Sequence, residues 1–145
     1  MKKLSALVLA VVCVFCLAGC ADDETAVWTW AQNVSRDDIL SVIPRSDVNG
    51  DDYQEFEPLD DAETLELVAL LNELTEDSFT HNQNLAGITP SYHIELNLAS
   101  ETYYINEANA PNGALEMQYN EEQWWIDSAA LMEFVQRVTN HAPAA

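Results

Sequence analysis

Tyr92, Ile94, Leu96 and Leu98 alternate with His93, Glu95 and Asn97. In an extended strand, period-two alternation puts one row of side chains on each face. One row here is apolar and needs cover; the other is polar and reads as the open side of a sheet. A lone strand satisfies neither its backbone groups nor its apolar row, so the chain must supply partner strands and a covering layer. The residues that follow do so as a meander. A second strand is expected over 102–106, then a turn at Pro111-Asn112-Gly113. Leu115, Met117 and Tyr119 alternate with Glu116 and Gln118 in a third strand, and Asn120 and Glu121 turn the chain into a fourth over 123–126.

The first half reads as strands and then a helix. Trp28, Trp30 and Gln32 share period-two parity, which predicts a strand over 26–34. Two more strands are expected over 39–48 and 53–59, on either side of Asn49-Gly50. Asn-Gly favours a hairpin because both residues tolerate positive φ. Pro44 lacks an amide donor and suggests an edge position. Asp60 and Glu63 have capping-box spacing, and Leu67, Val68, Leu70, Leu71 and Leu74 give the following helix a broad apolar face. Residues 75–90 read as a polar loop pinned by Phe79, Leu85 and Ile88. A last helix, capped by Asp127, carries Leu131, Phe134, Val135 and Val138 in one stripe, with Arg137 near its end and His141-Ala142-Pro143 closing it. The fold class expected is α+β: an antiparallel sheet of about five to seven strands with two helices packed on one face.

The N-terminus is of another kind. Lys2 and Lys3 precede an uncharged apolar run over 4–17, which is shorter than the roughly 20 residues a membrane span needs. The run exits through Leu17-Ala18-Gly19-Cys20. A positive start, an apolar middle and small residues before a cysteine resemble a bacterial lipoprotein signal peptide. That resemblance implies cleavage before Cys20, a diacylglycerol on its sulfur, and anchoring to the extracytoplasmic face of the cell membrane. It divides the chain into a signal over 1–19, a lipidated cysteine and acidic tether over 20–26, one α+β domain over 27–141 and a tail over 142–145. Cys13 and Cys16 leave with the signal, so the mature domain has no internal disulfide and must rest on its hydrophobic core.

Charge narrows the partners. Lys2 and Lys3 are the only lysines. Without them Arg36, Arg45 and Arg137 face all 25 acidic residues, a net of −22 against −20 for the whole chain. Nucleic acid is excluded, because phosphate binding needs clustered Lys and Arg. Anionic headgroups should also repel the domain, leaving the lipid on Cys20 to hold it. Such acidity can serve solubility alone; it also suits cationic partners, divalent cations or high salt.

Asp47, Asn49 and Asp51 fall at positions one, three and five of a segment resembling the front half of an EF-hand or dockerin calcium loop. Asp52 stands where that loop needs Gly, and Pro58 where it needs a bidentate Glu. An acidic hairpin turn explains the segment equally. Trp124-Trp125 and Tyr103-Tyr104 each put neighbouring aromatics on opposite faces of a strand, one toward the core and one outward. With Trp125 and Tyr104 outward, they join His93 and Glu95 on the polar face as a candidate binding surface. His93 and Glu95, with His81 or His141, have the donor types of a zinc site but not its spacing. No nucleophile elbow, zinc-protease helix motif or glycine-rich phosphate loop occurs, and no catalytic residue or cofactor is expected.

Trp28-Thr29-Trp30, Leu70-Leu71-Asn72-Glu73-Leu74 and Trp124-Trp125-Ile126-Asp127 are similar to stretches of small lipoprotein domains of Gram-positive bacteria. They also resemble the extracytoplasmic tails of membrane peptidases of the β-lactam-sensor type. These are packing patterns and carry no site residues. The function expected is a non-catalytic binding or accessory module on the outer side of the membrane, engaging an envelope or extracellular protein or peptide that is cationic. The alternatives are a calcium-dependent module using residues 47–57 and an envelope hydrolase working with two carboxylates.

Overall fold

The structure is a computed structural model that describes residues 23–47, 53–83, 90–108, 110 and 114–139. Residues 1–22, with the segment read as a signal and Cys20, as well as Leu85, Ile88 and residues 140–145 with His141, lie outside the described residues.

The described residues begin with helix α1, Asp23–Asn33, where a strand was expected over 26–34. The helix also takes in residues 23–26 of the segment read as a tether. Val27, Ala31 and Val34 explain the difference: they recur at i, i+4 and i+7, and all three are buried. The Trp28/Trp30 parity is incidental to that spacing. Trp28 Nε1 donates to the Leu74 carbonyl at 3.1 Å, while Trp30 packs against Tyr103.

After a 3-10 turn, Arg36–Asp38, strand β1 runs over Ile39–Asp47 and pairs with the short β2, Tyr53–Glu55. Leu40 sits where the β1 register shifts and is 70% exposed. Pro44 lies on the second strand of the sheet, not on its edge. Its carbonyl accepts from Phe56 N, away from the next ladder. The missing amide donor of Pro44 faces that same side, because N and O of one strand residue point together, so the β1–β4 ladder loses no bond and only the reciprocal bond to Phe56 is absent. Beyond β2 the chain follows β1 by hydrogen bonds rather than as the longer strand expected to reach residue 59.

Helix α2, Asp61–Asn72, starts where the capping box placed it: Glu63 N donates to Asp60 Oδ1 at 2.9 Å, and Asp60 N to Glu63 Oε2 at 3.3 Å. The expected loop after it contains a 3-10 turn, Glu76–Ser78, and a three-residue strand β3, Phe79–His81, on the far edge of the sheet. The meander follows as β4 Tyr92–Leu98, β5 Thr102–Glu107, β6 Leu115–Tyr119 and β7 Glu122–Ile126. Asn120 and Glu121, at φ 51° and 68°, form the tight β6–β7 turn. Helix α3, Ala129–Val138, is capped by Ser128 and not by Asp127: Ser128 Oγ accepts from Leu131 N at 3.2 Å. The helix begins one residue later than read, so the capping position moves with it.

Among the described residues seven strands form one antiparallel sheet in the order β2-β1-β4-β5-β6-β7-β3. Ile94, Leu96, Ile105, Leu115, Met117, Trp124 and Ile126 join Val27 and Ala31 of α1, Leu67 and Leu71 of α2, and Leu131 and Phe134 of α3 in a single core. Among the described residues three helices thus contribute where two were expected. Trp30 of α1 packs on Tyr103 and Tyr119, and Tyr92 meets Met132 and Gln136 of α3. Those tyrosines share the apolar face of the sheet. Among the described residues no helix is long and apolar enough to cross a membrane.

Candidate functional site

The polar face of the sheet carries a row running across it. Arg45 lies opposite His93, His93 opposite Asn106, Asn106 opposite Glu116 and Glu116 opposite Trp125. Glu95 is beside this row and faces Tyr104. His93, Glu95 and Tyr104 come together as the alternation implies: the His93 and Tyr104 rings meet edge-on at 6.0 Å. Trp125 shares the row but stands three strands away, about 14 Å at the usual strand spacing. The four candidate binding residues are therefore not one site.

Nor is the region around His93 simply solvated. His93 is 8% exposed. Burial, then the Arg45 guanidinium, hold its imidazole below the ordinary range, and Glu95 offsets them in part. Arg45 bridges to Glu95 Oε2 at 3.0 Å, and Asn97 Nδ2 donates to Glu95 Oε1 at 3.2 Å. Asn97 in turn contacts Ser41 and accepts from Thr102. Glu95 is thus occupied on both oxygens, and the cluster reads as a polar network. The aromatic pairs divide as strand parity requires: Trp124 and Tyr103 are buried, Trp125 is partly exposed and Tyr104 is 46% exposed.

His81 cannot join His93 at a metal. It lies on the core face, 5.0 Å from the Trp124 ring and 3.7 Å from Glu122. No group of three metal-ligating side chains occurs among the described residues. Asn49, Asp51 and the side chain of Asp47 lie outside them.

A cleft of about 370 Å³ opens elsewhere, between the end of α1, the 3-10 turn and the β4–β5 hairpin. Trp30 and Tyr103 supply aromatic surface, Val34, Leu98 and Ala99 aliphatic surface, and Asp37, Asp38 and Glu101 carboxylates. Each part is held in place locally. Asp38 Oδ2 accepts from Ser35 N at 3.1 Å and Ser35 Oγ at 2.6 Å, and these bonds keep the carboxyl below its usual range. The hairpin closes by Leu98 N donating to Glu101 O at 2.9 Å, which sets Glu101 at the rim. Trp30 lies 4.5 Å from Tyr103 and 5.8 Å from Tyr119. Burial raises the Tyr103 phenol far above its ordinary value, and the Glu101 carboxylate beside it adds to this.

This cleft was not legible in the sequence. With residues 26–34 read as a strand, Trp30 had no reason to meet Glu101. The local signal was Ser35-Arg36-Asp37-Asp38, whose capping-box spacing marks a turn with its acids fixed. Compared with protein-family models, curated proteins and solved structures, the chain matches none.

Proposed function

We propose that the protein is a lipoprotein anchored through Cys20 to the extracytoplasmic face of a Gram-positive membrane. There it serves as a non-catalytic binding or accessory module for a cationic protein or peptide. One observation carries the partner class. Each of the three arginines is already bridged to a carboxylate: Arg36 to Asp61 at 2.8 Å, Arg45 to Glu95 at 3.0 Å and Arg137 to Glu66 at 2.7 Å. The large acidic excess therefore faces outward uncompensated, and a cationic surface is what such a field attracts.

Two measurements test the two halves. Native protein should carry diacylglycerol on Cys20 and sediment with membranes, and Cys20→Ser should release it. An unmodified native chain retaining residues 1–19 would refute the anchor. For the partner class, a hexalysine peptide titrated into the full chain in neutral detergent should bind. The affinity should weaken as sodium chloride rises from about 0.01 M to about 0.15 M and the Debye length shrinks from roughly 30 to roughly 8 Å. Absence of binding at the lower salt would refute it.

A further inference from the structure

The cleft combines features that a solvated acidic surface lacks. Its carboxylates face no arginine among the described residues. Arg36, the nearest in sequence, is turned away: Nε donates to Asp61 Oδ1 at 2.8 Å and an η nitrogen to the Ile39 carbonyl at 3.0 Å. The hairpin bond from Leu98 N to the Glu101 carbonyl, at 2.9 Å, sets Glu101 at the rim. Asp38 is fixed by Ser35, whose N and Oγ both donate to its Oδ2. Preorganised acceptors lose little freedom on binding.

The walls narrow the choice of ligand. Calcium takes a shell of six to eight oxygens, whereas much of this lining is indole, phenol and aliphatic carbon. An organic cation uses both kinds of surface. Its charged head pairs with carboxylates, its polarised edge is drawn to the indole π-face, and its methylenes lie along Val34, Leu98 and Ala99. We infer that this cleft seats the ammonium or guanidinium end of one lysine or arginine side chain from the partner. The assignment rests on the cationic-partner reading above and adds to it a position: a single anchoring side chain between Trp30 and Glu101.

A blocking substitution tests the position without removing buried groups. Ser100 is exposed at the hairpin tip bordering the cleft, and Thr80 is exposed on β3, away from it. Ser100→Arg places a tethered guanidinium at the cleft; Thr80→Arg adds the same charge elsewhere. Against hexalysine in low salt, Ser100→Arg should lower affinity at least about tenfold and Thr80→Arg less than about threefold. A second pair repeats the comparison by charge removal: Glu101→Gln, which keeps the size of the side chain, against Glu133→Gln on the exposed side of α3. Unchanged melting midpoints show that each variant is folded, and either pair alone decides the question. Equal losses within a pair overturn the cleft while leaving the cationic-partner reading intact. No hexalysine binding by the unaltered chain overturns both. Choline chloride is the remaining arm: if it binds more tightly than hexalysine, the cleft belongs to a small quaternary ammonium ligand and the peptide assignment falls.

Discussion

His93 shows how one side chain separates pattern from environment. Its parity places it on the polar face, yet it is buried beside Arg45, Glu95 and Tyr104. Its folded pKa lies below the ordinary 6.5. In the unfolded chain the imidazole takes up a proton near that value, while in the native protein it does so only at lower pH. Between the two, the unfolded state binds more protons, so stability falls as pH falls through that window. The limiting slope for one group is about 1.4 kcal/mol per pH unit. His93→Gln removes this titration. Chemical denaturation at pH 7 and pH 5 should show a smaller acid loss in the variant than in the parent. Equal losses would mean that the imidazole is protonated equally well in both states.

The elements are tied together by a few polar contacts across the apolar core. Asn72, at the end of α2, donates from Nδ2 to the Ala31 carbonyl at 2.8 Å and the Val34 carbonyl at 3.1 Å. Ala31 lies in the last turn of α1 and Val34 directly follows the helix, where carbonyls lack helical partners. The side chain of one helix thus terminates another and sets the entry to the 3-10 turn that borders the cleft. Asn72→Ala should cost about 1–2 kcal/mol, a net hydrogen bond or two. The accompanying loss of amide-exchange protection should be greatest at the end of α1. A uniform loss across the sheet would indicate a general packing role instead. Leu131, Phe134 and Val135 add burial to the polar ties of α3, and their spacing announces it.

At the scale of the molecule, charge opposes compactness. With each arginine committed to one carboxylate, the remaining acids repel each other across a body that buries a single core. Added salt screens that repulsion more in the compact state than in the expanded chain. Raising sodium chloride from about 0.01 M to about 0.15 M should therefore raise the melting midpoint by a few degrees, on the order of 1 kcal/mol. A flat or falling midpoint would show that local ion pairs outweigh the net field. On the lipoprotein reading only Ala21 and Asp22 separate Cys20 from α1, so the start of α1 is held within roughly 10 Å of the lipid attachment. A cationic partner between body and headgroups would relieve the repulsion that this arrangement creates.

The meander, the capped leucine-rich helix and the final amphipathic helix were readable because each repeats a period that its own backbone imposes. Tyr92 to Leu98 could hardly be anything but a half-buried strand, and Asp60 with Glu63 marks a helix start without outside help. The acidic excess and the scarcity of cations are likewise properties of the sequence alone. Residues 26–34 were ambiguous because Trp28 and Trp30 satisfy a strand while Val27, Ala31 and Val34 satisfy a helix. Only packing against Leu67, Leu71 and Leu74 selects the second. The three-residue β3 is too short to show a period and exists because β7 offers it an edge. The cleft is the furthest from the sequence, since Trp30, Asp38 and Glu101 share no local pattern and meet only when α1 and the β4–β5 hairpin dock on the same core. Sequence determined which faces must be buried; tertiary structure decided which acids and which aromatics would face one another.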